Sequence, residues 1–210
     1  MLRVMLSSCS YKASIWEGGY REPGVVWWPS KIHPGSRSNA LVATYDMFPT
    51  VLSLAGMSLP AKVIIDGVDL APLIFSAVPE AASGGHDCIF FYKHPESQTG
   101  PAGAALLTSL SAIRCGDFKV YYLIDGDMST PLPAGVTSGK QSLEAPVIFD
   151  LSKDWSEEHP LANTSAQYAR AKSEAAEARA AHLQTIGWNI NQMGEIESLG
   201  LAWRSTRHAA

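Results

Sequence analysis

Three cysteines in 210 residues, Cys9, Cys88 and Cys115, are too few and too oddly numbered to define a disulfide framework. None of their spacings suits a zinc site. Cysteine content therefore leaves the cellular compartment open. Long apolar runs are also missing: no stretch approaches the about 18 residues that a membrane-crossing helix needs, so a membrane span is excluded as a reading. The first ten residues, MLRVMLSSCS, do not read as a secretory hydrophobic region. Charge of one sign is scarce. Sixteen Lys and Arg stand against twenty Asp and Glu, the net charge is -4 and the pI is near 5.8, which gives no basic footprint for nucleic acid.

What is present is an ordinary globular composition, 46% hydrophobic and 17% charged, enough for one domain or two small lobes. Residues 25–28, VVWW, lie between Gly24 and Pro29 and predict a short buried strand. In this reading Trp27 and Trp28 are core or lobe-packing residues, with a sugar platform as the alternative. Residues 41–45 predict another strand. In DMFPTVLSLAG, Asp46 reads as a helix N-cap, Pro49 falls in the first turn, and Gly56 ends the helix in a left-handed conformation. Residues 60–71 read as a loop and residues 76–85 as the lobe boundary.

Beyond that boundary the pattern changes. Residues 88–92 (CIFFY), 111–124 and 146–152 are strand-like, and Gly116-Asp117 divides the second of these into a hairpin. Residues 163–186 are rich in alanine and predict a long helix with Tyr168, Ala171, Ala175, Ala178, Leu183 and Ile186 near one face. Asn163-Thr164-Ser165 is an acceptor sequence for glycosylation on a secretory path. The division is thus 1–80, the end of a larger α/β domain; 81–190, a small α+β lobe; and 191–210, a weakly structured tail.

Six short motifs carry more. KASIWEGGYREPGVVWWPS holds two of them, the turn with Lys12, Trp16, Glu17, Gly18, Gly19, Arg21, Glu22 and Pro23, and the strand that ends at Trp28-Pro29. It is followed by the helix from Asp46, by DGVDLAPLI, by AIRCGDFKVYY and by VIFDLSKDWSEEHPL. In this order they resemble the sulfatase family, most closely the arylsulfatases. Two departures touch one turn: Trp155 stands where the family has proline, and His159-Pro160 where it has asparagine.

The resemblance implies the alkaline-phosphatase-like α/β fold, of which these motifs form the C-terminal portion. It implies a sulfate-ester substrate, a calcium ion, and a nucleophilic formylglycine made from Cys or Ser in C/S-x-P-S-R. No such motif occurs here, nor an Asp-Asp pair for the metal, nor an Asp-Asn pair ahead of Lys12. Lys12 alone matches a catalytic position, where an ammonium anchors a sulfate oxygen. Glu17, Gly18, Gly19, Arg21 and Glu22 are expected to fix that loop, and His94 is a weaker candidate for substrate contact. Asp66 and Asp69 read as structural, since the six-oxygen ligand set of a calcium loop is absent. His86 with Cys88 does not complete a metal site. The expectation is a chain without hydrolytic activity on its own. The alternatives are a non-catalytic interaction module and a split-enzyme subunit completed by an N-terminal half. Family habit points to a secreted, periplasmic or lysosomal-type location.

Overall fold

The structure, a computed structural model, describes residues 14–61, 63–77, 84–92, 110–124 and 132–185. Its centre is a four-stranded antiparallel sheet in the order β1-β2-β3-β6, formed by β1 (Cys88–Tyr92), β2 (Leu110–Cys115), β3 (Phe118–Tyr121) and β6 (Val147–Asp150). Two short strands, β4 (Leu123–Ile124) and β5 (Gly139–Lys140), pair separately. The β2–β3 turn is Gly116-Asp117. Gly116 takes φ +52°, the conformation that a two-residue hairpin requires at its first central position. Cys88 lies opposite Cys115 in the β1–β2 register, and the two are joined by a disulfide.

Alternation along the strands gives the sheet two apolar faces. Ile113, Cys115, Phe118, Val120 and Ile148 point to one side and meet the long helix through Tyr168, Ala171 and Ala175. That helix is Ala166–Thr185 and is called α4 below. Its contact residues recur three and four apart, and the small alanines let it lie close to the sheet. The Tyr168 hydroxyl donates to the Pro146 carbonyl at 2.8 Å. The predicted face is present from Tyr168 to Ala178; Ile186 lies outside the described residues.

The opposite face carries Phe91, Ala112, Tyr121, Phe149 and Leu151, and it is covered by Ile15 and Trp16 from the N-terminal part. The Trp16 ring sits 4.7 Å from Tyr121 and edge-on to Phe149 at 5.8 Å. A short helical turn, α1 (Glu17–Tyr20), follows directly. The motif run at residues 14–20 is thus a lid on the second sheet face.

Two sequence-based expectations fail in the stretch after it. Residues 25–28 form no strand, and their side chains are exposed, Val25 to 89% and Trp27 to 83%. Trp28 meets the edge of Phe75, at 5.6 Å. Residues 41–43 likewise form no strand: the His86 N–H bonds the Leu41 carbonyl at 2.7 Å, and Ala43 is bound to Asp46 of the following turn. The physical reason is common to both. A strand needs a neighbour to satisfy its backbone groups, and none of the six described strands lies beside these residues.

The helix α2 (Met47–Leu54) forms where expected. The N–H of Gly56 bonds to the Ser53 carbonyl at 3.0 Å and that of Met57 to Leu52 at 2.9 Å, with Gly56 at φ +69°. This is a Schellman end, which glycine makes without steric cost. Asp46 does not cap the helix through its side chain. A 3-10 turn over Thr44–Asp46 runs straight into α2, so Asp46 is already helical and its carboxylate points back. A last short helix, α3 (Ala71–Ile74), begins as the Asp69 carboxylate accepts the Ala71 N–H at 2.8 Å.

Candidate functional site

The register of the β2–β3 hairpin places Arg114 directly opposite Lys119, on the face that Ile15 and Trp16 cover. Two like charges side by side on one sheet face repel. Glu17 resolves the conflict by bridging them. Its Oε2 accepts from Arg114 at 2.8 Å and its Oε1 accepts from Lys119 at 2.9 Å. The Lys119 ammonium also donates to the Ile15 carbonyl at 2.7 Å and lies 3.5 Å from Glu157 Oε1. Its three donors are therefore all directed at oxygen, as a cation with no solvent contact requires. The aromatic faces of Phe91 and Tyr121 lie 4.6 and 5.2 Å from the same nitrogen.

Glu157 completes the cluster from the other side. Its Oε2 accepts the Glu17 N–H at 2.6 Å, and its Oε1 accepts the Tyr121 hydroxyl at 2.6 Å. Burial pushes the Glu157 carboxyl up. Lys119, the Tyr121 hydroxyl and the Glu17 N–H oppose the shift, and the Glu17 charge adds to it. The Glu157 backbone is left-handed, at φ +57°. That conformation is uncommon for a side chain of this size and persists only where its surroundings impose it. Here the turn is held by Asp154, whose carboxylate accepts the N–H groups of Glu158 and His159 at 3.1 and 2.7 Å.

Two carboxylates and two cations thus neutralise one another inside the lobe. Each carboxylate oxygen and the ammonium has a partner, and together they fasten residues 15–17 to the sheet. Arg21 stands at its rim, 4.0 Å from Glu17 and half exposed, with its guanidinium over the Trp155 ring at 5.8 Å. Glu22 is exposed. Gly18 and Gly19 lie within the α1 turn, where the Gly19 N–H bonds the Trp16 carbonyl at 2.9 Å. Lys12 and His94 lie outside the described residues.

A second buried group organises the N-terminal part. The Asp46 carboxylate accepts the Ala43 N–H at 2.7 Å and the Val68 N–H at 2.9 Å, and it pairs with His86 Nε2 at 2.7 Å. Thr50 donates to the Asp46 carbonyl and accepts the Leu70 N–H. Asp46 and His86 thus tie α2, the 66–70 loop and the approach to β1 together. His182, near the end of α4, stacks on Phe90 at 3.7 Å and bonds the Tyr92 hydroxyl at 2.7 Å. Burial moves the His182 pKa down, with Asp66 acting against it.

Among the described residues no group of three His, Cys, Asp or Glu could hold a metal ion. Asp46 and Asp69 are committed to N–H groups, and Cys88 to the disulfide. The described residues therefore do not fit a calcium ion. Nor is any described helix long and apolar enough to cross a membrane. The motifs single out Glu17 but do not mark Lys119, Arg114, Tyr121 or Glu157 as its partners. The signal was present, since all four stand inside the quoted motifs, but nothing in the motifs says that they meet.

A solved sulfatase of Pseudoalteromonas sp. superposes with a TM-score of 0.64 at 21% identity, over 84% of this chain and 32% of its own. Residues 84–206 match the family described as the C-terminal region of aryl-sulfatase. Residues 10–106 match the C-terminal family of N-sulphoglucosamine sulphohydrolase. Arylsulfatase G of Canis lupus familiaris is 35% identical over 75% of this chain and 27% of its own length. Steryl-sulfatase of Rattus norvegicus is 30% identical over 92% of this chain and 33% of its own. The chain belongs to the sulfatase family. It corresponds to the C-terminal portion of the arylsulfatase type, and it spans about a third of the length of the curated relatives it matches.

Proposed function

We propose that this chain is the portion of a sulfuric ester hydrolase that presents Lys12 to the sulfate group of its substrate. The observation that carries the proposal is the fastening of residues 15–17, just after Lys12, by Lys119, Arg114 and Glu157. Sulfate ester cleavage develops negative charge on the sulfuryl oxygens and on the leaving oxygen. A cation lowers that barrier most when it is fixed before the reaction. A lysine whose segment is pinned a few residues away meets this need better than one on a free loop.

The formylglycine and the calcium site of the family have no counterpart in these 210 residues. In this reading they come from sulfatase sequence outside the match, on the same or a separate polypeptide. The exposed run Val25–Trp28 and the exposed Phe48 and Val51 of α2 are the surface that meets it. The expected location is secreted, periplasmic or lysosomal-type.

The test is turnover of an aryl sulfate. The purified 210-residue chain should give none above a Lys12→Ala control. Supplied with the N-terminal two-thirds of an arylsulfatase, it should gain turnover that Lys12→Ala removes. Hydrolysis by the chain alone would overturn the division of labour. A reconstituted enzyme indifferent to Lys12→Ala would overturn the role of the lysine.

A further inference from the structure

Asn163 opens the only Asn-x-Ser/Thr sequence in the chain. The structure puts it in the exposed turn just ahead of α4. Ser165, which supplies the hydroxyl of the acceptor sequence, accepts the Tyr168 N–H at 3.1 Å at the helix start. Beside this turn lies an open cavity of about 390 Å³, bordered by Glu144, Ala145, Asn163, Tyr168 and Lys172. No hydrogen bond engages the Asn163 side chain among the described residues. A group attached to its amide nitrogen would therefore enter open space and displace nothing from the core.

A second, independent feature concerns the compartment. Cys88 and Cys115 are cross-strand neighbours joined by a disulfide, and Cys115 is buried. Structural disulfides persist in secreted and lumenal proteins and are reduced in the cytosol. The two features meet in one place, the lumen in which disulfides form and asparagine is glycosylated.

We propose that Asn163 carries an asparagine-linked oligosaccharide. In the transfer, the Asn163 amide nitrogen bonds to the anomeric carbon of a lipid-diphosphate-linked oligosaccharide. The bond from that carbon to the diphosphate oxygen breaks, the lipid diphosphate leaves with its electron pair, and the amide loses one proton. No redox partner is needed. This inference stands on the turn and the disulfide, and it is independent of the hydrolytic role proposed above.

The experiment uses the protein purified from the cells that make it. Trypsin should release residues 154–170 as one peptide, since Lys153 and Arg170 bound a stretch free of other Lys or Arg. Treatment with peptide N-glycosidase in heavy-oxygen water should then convert Asn163 to an aspartate carrying the label. A non-reducing digest should give the Cys88 and Cys115 peptides linked. In the same cells Ser165→Ala should abolish the modification and Ser165→Thr should keep it, although both alter the same helix start. An Asn163 peptide that is unmodified throughout overturns the proposal. So does alkylation of Cys88 and Cys115 as free thiols in the native protein.

Discussion

CIFFY at residues 88–92 and VVWW at residues 25–28 are both short, apolar and rich in aromatic side chains. One is strand β1, paired along its length with β2. The other is extended, unpaired and largely exposed. Their intrinsic strand preferences do not explain the difference, since both runs suit a pleated sheet. Their neighbours do. β1 has the Leu110–Cys115 strand to bond with and Phe91 has Lys119 and Tyr20 against its ring. Residues 25–28 have no strand beside them among the described residues. A strand sequence is thus a statement about a neighbour as well as about itself. In relatives about three times as long there is more chain to provide one.

The contrast breaks first if the lobe loses its internal ions. Lys119→Met would leave Glu17 and Glu157 facing each other across a dry site. Removing one partner of such a buried set costs about 3–5 kcal/mol. Urea unfolding followed by Trp16 fluorescence should show the loss, with residues 14–17 released from the sheet face. A loss under about 1 kcal/mol, which is the range of an exposed ion pair, would mean that the apolar contacts of Ile15 and Trp16 suffice.

Much of this arrangement is legible in the sequence, and the rest is not, for physical reasons. The strands of the lobe, the Gly116 turn and the alanine-rich helix follow from local period and turn chemistry, which act over a few residues. The Schellman end at Gly56 is legible for the same reason. The ion cluster is not. Glu17 and Glu157 are 140 positions apart, and only the β2–β3 register puts Arg114 beside Lys119. Asp46 stands at the predicted N-cap position, but its carboxylate turns back to Ala43, Val68 and His86, and the last two are distant in sequence. Residues 25–28 carry the pattern of a buried strand, but no partner for them is among the described strands.

The N-terminal part is not uniformly loose, and Gly67 sharpens that point. A Cβ there would meet the Tyr45 carbonyl oxygen at 2.4 Å, a backbone atom that cannot step aside alone. Gly67→Ala should destabilise the Asp46 junction by about 1–3 kcal/mol, the usual cost of forced overpacking. Amide exchange should rise at Val68 and Leu70, with the β2–β3 amides unchanged. Equal effects in both parts would show that the two unfold as one unit.

A smaller effect separates the lobe by pH. The folded pKa of Glu157 is raised, so the folded state binds its proton more tightly than the unfolded chain does. Its contribution to stability is full below the unfolded pKa and is lost as pH rises through the folded one. Lowering the pH from neutral into that window should therefore stabilise the wild type relative to Glu157→Gln. Urea midpoints of the two at several pH values measure it. A difference that does not change with pH would show that Glu157 titrates alike in both states.

The smallest effect on stability should come from Trp27→Ser, and it bears most directly on the comparison. Trp27 is 83% exposed in this chain, so replacing it should change the unfolding midpoint by no more than about 0.5 kcal/mol. Its weight should appear only when the complementary sulfatase sequence is supplied. There an aromatic buried at the centre of a contact is worth about 2 kcal/mol or more. Binding to an N-terminal arylsulfatase polypeptide, measured by titration, should weaken by more than tenfold, while Phe91→Ser should unfold the lobe before binding can be tested. Should Trp27→Ser leave that binding untouched, the exposed run would not be the surface that meets the rest of the enzyme. The failed strand at residues 25–28 would then need an explanation other than a missing neighbour.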